Sequence, residues 1–85
     1  MDNNFDYTVR FEGVTEEKGM SVGETINYVY HALQEKGYDP INQMIGYILS
    51  GDSSYITSYK DARTVIKKYE RDELLEEILK YYLTK

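Results

Sequence analysis

Few residues in this 85-residue chain are of a type that carries covalent chemistry, and they are scattered. There is no cysteine and one histidine, His31, so neither a thiolate metal site nor a His-pair zinc site can be assembled. A nucleophile needs a base beside it and a group that orients the base. The serines fall where helix caps and turns are expected, and His31 falls opposite an apolar helical stripe, so no such constellation forms. Paired carboxylates occur at Glu16 with Glu17 and Glu76 with Glu77, but adjacent positions on a helix point apart. No glycine-rich loop of the phosphate-cradling kind is present. The chain therefore reads as non-enzymatic, with no metal and no cofactor.

Two other sets of residues have chemical potential. Lys60, Arg63, Lys67 and Arg71, with Lys68 beside them, recur at helical spacing and form a basic stripe opposite an apolar face. Such a stripe can hold a phosphate or meet a partner; it is equally the solvated face of an amphipathic helix paired with Asp61, Glu70 and Glu73. Thr8 is the second candidate. It lies in an acidic segment, and a phosphate there would add about 1.5 to 2 negative charges beside Asp6 and Glu12.

The elements that position these residues are mostly helices. Ser21-x-x-Glu24 is a capping box, and the helix it opens places Val22, Ile26, Val29 and Leu33 on one side, with Tyr30 at the edge, before Gly37 ends it. Gly37 to Asp52 spells a second helix with both stops: Asp39 as N-cap, Pro40 at the first helical position, Gly51 for the left-handed closing turn. Its Ile41, Met44, Ile45, Ile48 and Leu49 form a stripe expected to pack in the core or at a dimer interface. Gly46 lies inside this helix, where glycine costs about 1 kcal/mol relative to alanine. A close approach by another helix, within the fold or across a dimer, would account for it; so would a tolerated surface glycine.

After a connecting stretch at 52–58, the pattern is helical again, with Ser58 and Asp61 as an N-cap pairing. Its phase changes part-way. Ala62, Val65, Ile66 and Tyr69 share one face, while Leu75, Ile78, Leu79 and Tyr82 share another displaced by more than about 100° on a continuous helix. A break near Glu70 to Asp72, with Asp72 as cap, gives helices over about 59–69 and 72–83. Upstream, Phe5, Tyr7, Val9 and Phe11 alternate with Asp6, Thr8, Arg10 and Glu12, a strand pattern with no second strand to pair with. It reads either as a flexible tail or as a strand added to another chain's edge.

Composition narrows the class further. The net charge of -5 opposes non-specific binding to nucleic acid, although the basic stripe keeps a small nucleic-acid-binding regulator as the alternative. The acidic excess sits early, -3 over residues 1–20 and -2 over 21–51, while 52–85 is balanced. Ten tyrosines with two phenylalanines and no tryptophan suit half-buried and interface positions. No apolar run approaches a membrane span and the N-terminus lacks the pattern of a signal peptide, so a cytoplasmic protein without membrane insertion is expected. At this length one core is barely sufficient, which favours a homodimer.

ALQEKGYDPINQMIGYILSGDSSYI at 32–56, KDAR at 60–63, YERDEL at 69–74 and YYL at 81–83 together resemble the IreB family of small regulatory phosphoproteins of Gram-positive bacteria, over about Thr8 to Leu83. The resemblance implies a compact all-α bundle, homodimeric, with a flexible N-terminal segment. It also implies phosphorylation at Thr8 by a membrane serine/threonine kinase with extracellular PASTA repeats, reversal by its phosphatase, and a role in cell-envelope stress and cephalosporin resistance. The sequence departs from the family at Asn3, Asn4 and Phe5, where some members carry a second threonine. It departs again at Ser53, Ser54 and Thr57, where Pro, Ala and Pro are frequent. The expected organisation is a regulatory segment over 1–20 and an all-α domain of about four helices over 21–85. That domain would act through contacts with itself, the kinase and a downstream protein.

Overall fold

In a computed structural model, residues 19–84 are described, and the strand-like stretch 5–12 with Thr8 lies outside them. Four α-helices follow in order: α1 Val22–Glu35, α2 Pro40–Ser50, α3 Ala62–Ile66 and α4 Arg71–Leu83. Two 3-10 turns, Ser53–Tyr55 and Tyr59–Asp61, fill the connection between α2 and α3. No strand occurs among the described residues.

The first two helices start and stop where local chemistry dictates. The Ser21 hydroxyl accepts from Glu24 N at 3.1 Å while the Glu24 carboxylate accepts from Ser21 N at 2.9 Å, closing the capping box. Asp39 Oδ1 accepts from Asn42 N at 3.3 Å, Pro40 opens α2, and Gly51 closes it at φ 78°. Gly37, at φ 85°, turns the chain after α1, a backbone shape that glycine adopts at no steric cost.

The core forms where α1, the short α3 and the root of α4 meet. Val29, Ala32 and Leu33 of α1, Met44 and Tyr47 of α2, Ile56, Ala62 and Ile66, and Leu74 of α4 are its buried members. Each fully buried Leu, Ile or Val side chain contributes about 1.5–3 kcal/mol relative to exposure, so these few positions dominate the fold's stability. The 53–58 connection folds back onto α2: Gln43 Nε2 donates to the Tyr55 carbonyl at 3.0 Å, and Ile56 inserts fully into the core.

Several expectations are corrected here. The third helix begins at Ala62 rather than Tyr59, because Lys60 and Asp61 take the left-handed conformation, at φ 54° and 61°, and Ser58 makes no side-chain cap bond. α3 also ends at Ile66 rather than at about Tyr69, so the break runs over 67–70, and the cap of α4 is Glu70, not Asp72. Glu70 N donates to Glu73 Oε1 at 2.7 Å in a second capping box. Gly46 is approached by the ring of Tyr55, not by a helix. The stripe of α2 is not the centre of the subunit's core: Met44 is buried and Ile48 partly so, whereas Ile41, Ile45 and Leu49 are exposed. In α4 the stripe Leu75, Ile78, Leu79, Tyr82 also points outward, and the one buried residue is Leu74.

Candidate functional site

The outward stripes of α2 and α4 form one apolar surface. Ile41, Ile45 and Leu49 of α2 are 61%, 48% and 79% exposed, and Leu75, Ile78 and Leu79 of α4 are 43%, 37% and 48% exposed. Between them runs a groove of about 430 Å³, with Ile26 and Tyr30 of α1 and Met44 and Ile48 of α2 among its walls and Asn27 as its one polar lining residue. A second depression of about 370 Å³ follows the far side of α4, where Leu75, Leu79 and Leu83 are bordered by Asp72, Glu76 and Lys80. Contiguous apolar surface rimmed by charge marks an interaction site. A groove lined by so few polar groups offers little to orient or activate a reacting atom and suits an apolar occupant.

The packing of α4 explains why this face stays open. Its apolar and aromatic side chains from Ile78 through Leu83, Tyr81 included, cover an arc of about 200° on the helix, too wide to bury against α1 and α2 alone. Leu74 docks the root, and Arg71 Nη1 donates to the Ile48 carbonyl at 2.9 Å, at the C-terminal end of α2. There the cation also meets the negative pole of the helix.

The four basic candidates do not form one helical stripe. Lys60 sits in the turn before α3 and pairs with Glu35 at 3.2 Å. Arg63 Nε donates to the Ile56 carbonyl at 2.8 Å, Arg71 is the clasp on α2, and Lys67 follows the end of α3. Three of the four thus hold intramolecular partners.

A compact polar cluster lies around Lys60. Tyr59 donates its hydroxyl to Glu35 Oε1 at 3.1 Å, and the ammonium groups of Lys36 and Lys60 lie 5.2 and 5.5 Å from the centre of the Tyr59 ring. Tyr28 donates to the Lys60 carbonyl at 2.7 Å, pinning the left-handed turn to α1. The hydrogen bond from Lys60, then that from Tyr59 and the charge of Lys60, hold the Glu35 carboxyl below the usual glutamate range. The same pair raises the Lys60 ammonium. His31 is exposed, its ring edge-on to Tyr30 at 5.3 Å. Among the described residues no group of three His, Cys, Asp or Glu is placed to hold a metal ion, and no helix is long and apolar enough to cross a membrane.

A family model described as IreB regulatory phosphoprotein matches residues 6–84. The chain belongs to the IreB family. It is also similar to a UPF0297 protein of Clostridioides difficile (strain 630), with 64% identity over 85 residues, covering 100% of this chain and 99% of the relative. For a regulatory phosphoprotein family, an apolar contact face is a more pertinent feature than a reaction centre. The sequence pattern offered the α2 stripe to the core or to a dimer interface without separating the two, and it passed over Leu74, Tyr47, Ile56 and Tyr55. For Leu74 a signal was present: with Glu70 as N-cap, Tyr69 and Leu74 stand at the two positions of a hydrophobic staple.

Proposed function

We propose that this protein is a non-enzymatic cytoplasmic regulator that works through protein contacts made by the α2–α4 face, with Thr8 as the phosphorylated residue of its N-terminal segment. The exposed apolar face is the observation that carries the reading, since leaving Ile41, Ile45, Leu49, Leu75 and Leu79 to water costs stability unless another chain covers them. A second copy is the first occupant: a homodimer fits a chain of 85 residues with so small a core. Family membership and the early acidic excess support the rest: a membrane serine/threonine kinase of the PASTA type as modifier, its phosphatase as eraser, and an unidentified downstream protein in the cell-envelope stress response and cephalosporin resistance.

The test is direct. Incubation of the full chain with the cytoplasmic domain of such a kinase is expected to add one phosphate, located by mass spectrometry at Thr8 and lost in Thr8→Ala. Phosphate appearing only at other hydroxyls, or none at all, would overturn the assignment. Light scattering on the unmodified chain is expected to give twice the subunit mass, and a monomer across the micromolar range would remove the homodimer.

A further inference from the structure

The outer side of α4 carries an apolar row that does not meet α2. Leu75, Leu79 and Leu83 stand four positions apart, and their exposure rises from 43% at Leu75 to 69% at Leu83. Side chains at this spacing form a ridge, the shape that packs into the groove of another helix. The depression of about 370 Å³ that follows the ridge is lined by α4 and the Thr84 that ends it, so no other described element contributes to it.

Charge separates this ridge from the α2–α4 groove, which no Asp, Glu, Lys or Arg lines. Asp72, Glu76 and Lys80 each lie three positions before a leucine of the row, which makes them its neighbours on the helix surface. The helix holds Asp72, Glu73, Glu76 and Glu77 against Arg71 and Lys80. Arg71 is committed to the Ile48 carbonyl and Glu73 to its capping box. Among the described residues Asp72 and Glu76 enter no ion pair, although Glu76 and Lys80 stand at a spacing that suits one. A leucine ridge with uncommitted carboxylates beside it is complementary to apolar side chains flanked by cations.

We propose that the outer face of α4 docks a basic amphipathic helix of another protein, its apolar stripe on Leu75, Leu79 and Leu83 and its lysines or arginines on Asp72 and Glu76. The inference rests on the reading of this chain as one that acts through protein contacts, and adds the surface and the chemistry of a partner other than a second copy. Two nearer occupants are worse matched in charge. Residues 1–18 hold five acids against Arg10 and Lys18. A second copy brings the same flank, Asp72 and Glu76 for each Lys80, and like charges set across an interface select against it. The groove and the flank share only Leu75 among their lining residues, so the two contacts can be altered separately.

The probe is a synthetic amidated peptide of about 18 residues, long enough to form a helix, with a leucine stripe flanked by lysines; its counterpart carries glutamate for every lysine. Each is titrated into the isotope-labelled full chain, and amide shifts are followed by NMR residue by residue. The lysine peptide is expected to give saturable shifts centred on Asp72 to Leu83, to bind at least about tenfold more tightly than the glutamate peptide, and to weaken as ionic strength rises. Charge reversal of the flank, Asp72→Lys with Glu76→Lys, is expected to invert that preference, and a preference that survives it overturns the proposal. So do equal affinity for the two peptides, no saturable shift, or shifts centred on Ile41 and Ile45, which would give the peptide to the α2–α4 groove. These three are read in the unsubstituted chain, so they decide the matter even where the variant folds poorly. Light scattering on the same chain without peptide reads self-association, so failure of the flank is distinct from failure of the α2–α4 face as a contact surface.

Discussion

Gly46 and Tyr55 touch so closely that a Cβ added to the glycine would lie 2.5 Å from Cε1 of the tyrosine ring. The ring lies over the middle of α2, and its carbonyl is held there by Gln43. Gly46→Ala gains about 1 kcal/mol of helix propensity but forces the ring off its seat, at about 1–3 kcal/mol. The net expectation is a loss of up to about 2 kcal/mol in chemical denaturation. Made in a Tyr55→Ala background, the same substitution should become stabilising, by about 1 kcal/mol. Destabilisation of equal size in both backgrounds would show that the ring is not what excludes the side chain.

Leu74 and Leu79 are both leucines of α4, at 1% and 48% exposure. Leu74→Ala should cost about 2–4 kcal/mol, the usual range for a buried leucine. Leu79→Ala should change subunit stability by less than about 0.5 kcal/mol at concentrations where no second chain covers it. Urea melts at low protein concentration measure both, and comparable losses would put Leu79 in the core.

The features legible in the sequence were those written within one helix. Ser21 and Glu24, or Asp39, Pro40 and Gly51, lie within a dozen residues of one another and act on backbone groups next to them, so their types alone set the ends of α1 and α2. The start of α3 was not legible, because the left-handed pair Lys60 and Asp61 is held from afar by Tyr28 and Glu35, more than twenty positions upstream. Apolar periodicity also grouped the stripes of α2 and α4 without saying what they face. A stripe that seeks another chain has the same spacing as one that seeks its own core, and only burial separates Met44 from Ile45.

The Arg71 clasp joins α4 to the end of α2, and Gly51 leaves room for it: a Cβ there would lie 2.9 Å from the guanidinium carbon. Arg71→Ala is expected to cost about 1 kcal/mol, the ordinary worth of such a hydrogen bond at an exposed site. Gly51→Ala should cost more, since it meets the guanidinium and also places a side chain at φ 78°, about 1–2 kcal/mol by itself. In Arg71→Ala the Gly51→Ala penalty should shrink to that backbone part, which a double-mutant cycle reads out.

Glu35 gives the pH dependence a definite sign. Its folded-state carboxyl is held low by Lys60 and Tyr59, so its contribution is present above the unfolded glutamate value and is lost as pH falls through the folded one. Asp52, lowered chiefly by the hydrogen bond from Ser54 N, acts in the same direction. The melting temperature is therefore expected to drop between about pH 5 and pH 3. Glu35→Gln should flatten that limb by lowering the neutral end of the curve toward the acid end, and by only a small amount because the pair is open to solvent and screened. An unchanged acid limb in the variant would assign the drop to other carboxylates.

Ile45 provides the sharpest test of the apolar face, because it lines the groove between α2 and α4 yet is 48% exposed in the subunit. Ile45→Glu puts a charge where a second chain would sit, and an unpaired charge buried by association costs several kcal/mol, enough to raise a dissociation constant at least a hundredfold. Within the subunit the carboxylate stays in water, so helix content should persist. Light scattering over a dilution series should then show monomer at concentrations where the unsubstituted chain associates, with an unchanged far-ultraviolet circular dichroism spectrum. Association as strong as before would move the interface off this groove, and loss of helix would show that Ile45 holds the subunit itself together.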